Sequence, residues 1–115
     1  MLKVVALLRR REGMSLEEFE RYWRERHLPL VAKIPGLRRL VLNRVLPDPS
    51  GSPPAFDAVV EDWFDDRQAL NAASASPEWE AVLADAPNLL DMARLQLLVV
   101  EEVPLPARAL GAVAG

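Results

Sequence analysis

Apolar and polar positions along the chain fall into six segments of alternating type. Leu2 to Arg9 (LKVVALLR) is apolar on both faces of a strand, with Leu2, Val4, Ala6 and Leu8 on one and Val5 and Leu7 on the other. Such a strand is central and covered on both sides. Gly13-Met14-Ser15 is a turn, where Ser15 is a good N-cap and Glu18, three residues on, completes a capping box. The helix that follows is expected to reach about Leu28, because Pro29 disfavours helical geometry in the residue before it. Pro35-Gly36 is the next break.

Leu37 to Leu46 (LRRLVLNRVL) reads as a strand, and Pro47 to Ala55, with four prolines, as a loop. In Phe56 to Phe64 (FDAVVEDWF), Phe56, Ala58, Val60 and Phe64 share one face, with Val59 and Trp63 on the other. Asp65 or Asp66 can cap a short helix. Ser76-Pro77-Glu78 opens another, which runs through Trp79, Val82 and Leu83 and is interrupted at Pro87. Ala93 to Val103 is the last strand. Residues 105–115 have no reliable period and form a tail, flexible or packed on a partner chain.

Strand, helix, strand, strand, helix, strand is the order of the split βαβ, ferredoxin-like α+β unit: a four-stranded antiparallel sheet with helices on one face. Val5, Leu7, Val59, Trp63, Leu98 and Val100 compete with Leu8, Val60 and Val99 for the one covered side. Soluble monomers avoid bare sheet faces of this kind. A second copy packed sheet to sheet about a two-fold axis would cover it, so a homodimer is expected.

Composition narrows the function classes. The 115 residues are half hydrophobic, with no apolar run long enough to span a bilayer and no cysteine. A membrane protein, a disulfide scaffold and a thiolate nucleophile are therefore not expected, and a cytoplasmic location is. The N-terminal MLKVVALLRRR places its charge after the apolar run and reads as a first strand, not a signal peptide. Net charge is −3, but unevenly spread. Eleven Lys and Arg against five Glu leave residues up to Arg44 at +6, and three Arg against twelve acids leave the rest at −9. The helical arginines alternate with glutamates, as on a solvated, ion-paired surface. No nucleic-acid partner is expected, and Arg9-Arg10-Arg11 reads as a strand end or dimer contact.

His27 is the only histidine. On a helical period Leu16, Phe19, Trp23, His27 and Leu30 form one stripe, opposite the charged Glu17, Glu18, Arg21, Arg24 and Glu25. His27 thus points at the sheet from the last helical turn. The helix dipole there favours its charged form, and burial its neutral form. It is either a core histidine satisfied by carbonyls or water, or a group aimed into a pocket. Three features favour the pocket: the helix end at Pro29, the flat walls of Tyr22 and Trp23, and polar residues out of pattern on the facing strands, Asn43 and Glu61.

The stretch LLRRREGMSLEEFERYWRERHLPLVAKIPGLRRLVLNRV resembles the opening of EthD-domain proteins: a strand, then G-M-S, then F-x-x-Y-W-x-x-x-H-x-P-L, then I-P-G-L. FDAVVEDWF, SPEWEAVLAD and VVEEV extend the resemblance over residues 1–104. It implies the dimeric α+β barrel and, by analogy with EthD-like isomerases, a pocket position for His27. Relatives by fold range from isomerases and cofactor-free monooxygenases to haem proteins, so the resemblance defines the fold better than the reaction. Leu40 stands where many members carry an aromatic, often tyrosine, and a phenol that could share acid/base work is missing there.

Three functions compete. The first is a cofactor-free acid/base enzyme on a small apolar or aromatic substrate. His27 would be catalytic; Tyr22, Trp23, Leu40, Trp63 and Phe64 would shape the pocket; Asn43, Glu61 or Asp85 would orient the ring or a substrate oxygen. The second is haem binding with His27 as axial ligand, although the matching helix of the haem proteins lacks the YWxxxHxPL pattern. The third is a non-catalytic dimeric binder with a structural histidine. One histidine and dispersed carboxylates do not make a metal site.

Overall fold

Strand β1 (Leu2–Leu8) lies between two antiparallel neighbours, β3 (Ala58–Phe64) and β4 (Gln96–Glu101), and β2 (Arg39–Arg44) pairs with the outer edge of β3. The order β2-β3-β1-β4 is that of the ferredoxin-like α+β fold. The computed structural model describes residues 1–109; residues 110–115 of the C-terminal tail, and with them most of what was expected of that tail, lie outside the described residues. The register sets Ala6 opposite Val60 on one side and Leu97 on the other. On the helix-facing side of β1, Leu2, Val4 and Leu8 are buried, while Val5 and Leu7 on its other face are only partly so.

The capping box forms as expected. Ser15 Oγ accepts from the Glu18 backbone N–H at 3.0 Å, and Glu18 Oε1 accepts from the Ser15 N–H at 3.2 Å. These bonds start α1 (Leu16–Tyr22). The helix does not stop at Leu28. It passes through a π turn, Trp23–His27, into α2 (Leu28–Val31), with Pro29 inside. Proline lacks an N–H, and its ring collides with the carbonyl four residues back. Here the Leu28 N–H bonds to the Trp23 carbonyl, five residues back. The widened turn accommodates Pro29 where a regular helix would break.

The second helical part is α3 (Arg67–Ser74), capped by Asp66, and α4 (Pro77–Asp85), capped by Ser76. A 3₁₀ turn, Ala86–Asn88, takes up Pro87. Two strands are shorter than their apolar runs. Ile34–Leu37 is tied into a turn before β2, and Ala93 and Arg94 bond back to Asp91 before β4. β3 starts after Asp57, a buried acid that accepts from the Arg10 backbone N–H at 2.8 Å and pairs with the Arg10 and Arg9 guanidinium groups at 2.9 and 3.5 Å. Two of the three arginines of the basic run are thus engaged in holding a strand end.

Phe19, Phe64 and Leu89 are fully buried between helices and sheet. One cluster gathers around Phe19 and Trp23, the other around Phe64 and Leu70. The helices cover β1 and β3 and leave β4 bare: Leu97, Leu98 and Val99 are each nearly half exposed. The opposite sheet face is more mixed than its apolar pattern suggests. Lys3 pairs with Glu61 at 2.9 Å, and Asn43 donates to Glu61 at 3.3 Å. Trp63 is only 8% exposed because Lys3 and Arg39 lie over its ring, 4.9 and 4.7 Å from the centroid. Among the described residues, no helix is long and apolar enough to cross a membrane.

Candidate functional site

The π turn determines which side chains meet. In a regular α-helix two residues five apart point roughly 140° away from each other. Closing the turn over five residues brings Tyr22 and His27 toward one side, and both reach Asp85 at the end of α4. Tyr22 donates its hydroxyl proton to Asp85 Oδ1 at 2.7 Å, and Asn88 Nδ2 donates to the same oxygen at 3.0 Å. Asp85 Oδ2 lies 2.9 Å from His27 Nδ1.

Protonation follows from this geometry. Burial pushes the Asp85 carboxyl up, but hydrogen bonds from Tyr22, His27 and Asn88 outweigh it and hold the group below its ordinary value. The same bond to Asp85 raises the Tyr22 phenol, with burial adding to it. An ionised Asp85 only accepts, so His27 Nδ1 carries the hydrogen. In the neutral imidazole the free lone pair is then on Nε2. Among the described residues, no hydrogen bond reaches that nitrogen.

His27 is 6% exposed and lines a cavity of about 80 Å³ between the helices and the sheet. Trp23 and Val31 come from the first helical part, Ile34 from the turn after it, Ala6, Val60 and Leu97 from the sheet, and Trp79, Val82 and Leu83 from α4. The Trp23 ring stands 6.3 Å from the imidazole, tilted by 53°. The wall is apolar apart from the two indoles and two ionisable residues, His27 and Asp62. Asp62 lies between Val60 and Phe64 on the helix-facing side of β3. Its Oδ1 is shielded from water and has no hydrogen-bond partner. Burial pushes its carboxyl up to about 7.

The residues singled out from sequence separate into four places. His27 and Trp23 are on the cavity wall. Tyr22 and Asp85 stand behind it, reaching it through the His27 ring. Leu40 and Phe64 belong to the core, Phe64 being completely enclosed. Asn43, Glu61 and Trp63 lie together on the opposite sheet face, away from the histidine, because alternation along β2 and β3 turns them there. Asp62 and Trp79 on the cavity wall were not singled out. The signal for Asp62 was present: Ala58, Val60, Asp62 and Phe64 are the inward positions of β3, and an acid among them is out of place.

The EthD domain model matches residues 11–93. The chain belongs to the EthD family. An uncharacterised 11.0 kDa protein from the thcB–thcC intergenic region of Rhodococcus erythropolis is 30% identical over 88 residues, 76% of this chain and 84% of that one. The crystal structure of an EthD family protein from Bacillus halodurans superposes with a TM-score of 0.79 at 31% identity, covering 90% of this chain and 99% of the other. SnoaB, a cofactor-independent oxygenase from Streptomyces nogalater, superposes with a TM-score of 0.65 at 17% identity, covering 90% and 94%. At that identity the likeness to SnoaB is one of fold. This EthD chain keeps the histidine of its Y-W-x-x-x-H-x-P-L segment at a cavity wall, and Leu40 packs against the core.

Proposed function

We propose that this EthD protein is a cofactor-independent acid/base enzyme for a small apolar or aromatic substrate, with His27 as the general acid/base. One observation carries the reading: His27 Nδ1 is held by Asp85 at 2.9 Å, which leaves Nε2 as the basic nitrogen of a ring on an apolar cavity wall. A base needs a defined tautomer, a fixed orientation and reach to the substrate. Asp85 supplies the first two and stabilises the imidazolium once Nε2 takes a proton. Tyr22 and Asn88 position Asp85. Trp23 and the aliphatic wall exclude water and strengthen these interactions. Proton removal from carbon serves isomerase, lyase and cofactor-independent monooxygenase chemistry alike, and SnoaB, a protein of the same fold, is a cofactor-independent oxygenase.

Haem ligation by His27 does not fit. The cavity of about 80 Å³ is far below the roughly 300–1,000 Å³ of pockets that enclose a large ligand.

The working form in this reading is a homodimer. Val5 and Leu7 of β1, Val59 of β3 and Leu98 of β4 share the sheet face away from the helices and offer an apolar surface to a second copy.

The test is hydrogen–deuterium exchange at the acidic carbon of α-angelica lactone in D₂O, followed by NMR. The wild type is expected to accelerate exchange, and His27→Gln to lose about 10²-fold or more of that acceleration. Equal rates for the two proteins would remove His27 as the base.

A further inference from the structure

Asp62 has no part in the His27–Asp85 pair. Its cross-strand neighbours are Val4 on β1 and Leu40 on β2, which offer it no side-chain hydrogen bond. Oδ1 is cut off from water and unpartnered, and among the described residues no ion pair reaches this carboxyl. An unsatisfied buried acid destabilises a fold, and a leucine would complete this apolar wall better. What the acid adds is one hydrogen-bonding group that the protein itself leaves unused, on the same cavity as His27.

We propose that Asp62 holds the oxygen of a carbonyl substrate (a ketone, enone or lactone) whose acidic C–H faces His27 Nε2. This rests on the reading of His27 as base and names the substrate class for that site. Asp62 acts as a neutral acid that donates to the carbonyl oxygen. The C–H bond breaks, its proton goes to Nε2, and the electron pair runs onto the oxygen held by Asp62. Return of the proton from Nε2 to the same carbon gives back the substrate, and its delivery to the vinylogous carbon regenerates the carbonyl with the double bond moved, an isomerisation without a co-reactant. Burial works in the required direction, raising the Asp62 carboxyl to about 7, so that it keeps its proton in mildly acidic solution.

The cavity also limits how the substrate sits. Its volume of about 80 Å³ is close to half of the roughly 150 Å³ that holds one benzene in an engineered cavity. The carbonyl end therefore enters, and the remainder lies over Leu83 and Leu97, which are 43% and 49% exposed at the bare β4 side. No titratable side chain other than His27 faces Asp62 across this cavity; β1, β4, α2 and α4 contribute aliphatic residues and Trp79.

The experiment is an NMR titration of ¹⁵N-labelled protein with 2-cyclohexenone and with cyclohexene, at about pH 5.5 and about pH 8.5. Wild type is expected to prefer the enone by about tenfold at the lower pH and to lose that preference at the higher. Asp62→Asn, which donates at any pH, keeps the preference at both. Asp62→Leu shows it at neither. His27→Gln keeps the wild-type pattern, which separates this proposal from the base assignment: exchange lost in His27→Gln with enone preference intact supports both. Wild-type preference in Asp62→Leu, a pH pattern that disappears with His27, or no enone preference in the wild type overturns the proposal. Should Asp62→Leu fail to fold, the loss of pH dependence in Asp62→Asn decides alone.

Discussion

His27 Nδ1 and Asp85 Oδ2 stand 2.9 Å apart although 58 residues separate them in the chain. The contact joins the π turn of the first helical part to the end of α4. In the proposed reading it is also what distinguishes a positioned base from a histidine that merely fills space. A carboxylate behind one ring nitrogen fixes the proton there and leaves the other nitrogen for chemistry.

Asp85→Asn is the substitution that separates orientation from shape. An amide can present its NH₂ to Nδ1 and turn the ring to the wrong tautomer. Exchange catalysis is expected to fall by about 10²–10⁴-fold, in line with the loss of a positioned general base. Asp85 is held below its ordinary carboxyl value, so its ionised form favours the folded state. That contribution is present above its unfolded value of 3.8 and is lost as pH falls through the lower folded value. Melting curves of Asp85→Asn should therefore lack this part of the acid limb. Retained wild-type turnover in a folded Asp85→Asn would show that the pair is structural.

Asp62 behaves in the opposite sense. Its folded value is about 7 against 3.8 unfolded. Below 3.8 both states are protonated and there is no penalty. As pH rises toward 7 the unfolded chain releases a proton that the folded protein retains, so stability declines over that window and levels off above it. At about 1.4 kcal/mol per pKa unit, the full effect is of the order of 4 kcal/mol at most. Asp62→Asn is expected to melt above the wild type near pH 8, with a gap that closes toward pH 4. A gap independent of pH would place Asp62 in contact with water.

The bare sheet surface predicts assembly. Sedimentation should give twice the 12.8 kDa chain mass at micromolar concentration. Leu98, 47% exposed and paired with Val5 of β1, lies on the face expected to meet the second copy. Leu98→Glu should sediment as a folded monomer, since a charge there would otherwise be buried unpaired. A wild-type monomer, or a Leu98→Glu dimer, would contradict sheet-to-sheet packing.

Much of the fold is legible in local patterns. The two-faced apolarity of Leu2–Leu8 marks the central strand, and Ser15 with Glu18 marks the start of the helix. The π turn is not legible, because Pro29 by itself signals a stop; only the packing of Trp23 and His27 against the sheet makes a widened turn preferable to a break. At the site, the i+4 spacing of Phe19, Trp23 and His27 aims the ring inward, and all three are buried. Asn43 and Glu61 drew attention as polar residues in strands, yet alternation along β3 turns Glu61 outward and Asp62 inward. Asp85, at a helix end, gains its role from a tertiary contact with Tyr22 and His27 that no local spacing encodes.

The central claim is that Nδ1 of His27 carries the proton, held by Asp85, and that Nε2 is the base facing the cavity. With one histidine in 115 residues, long-range ¹H–¹⁵N correlation spectra of the labelled protein contain a single imidazole and need no assignment. At a pH where the ring is neutral, the account predicts a protonated Nδ1, a pyridine-like Nε2, and an Nε2 resonance that moves when a carbonyl ligand such as 2-cyclohexenone is added. A neutral ring protonated on Nε2, or an Nε2 resonance indifferent to ligands that shift the other cavity residues, would contradict it.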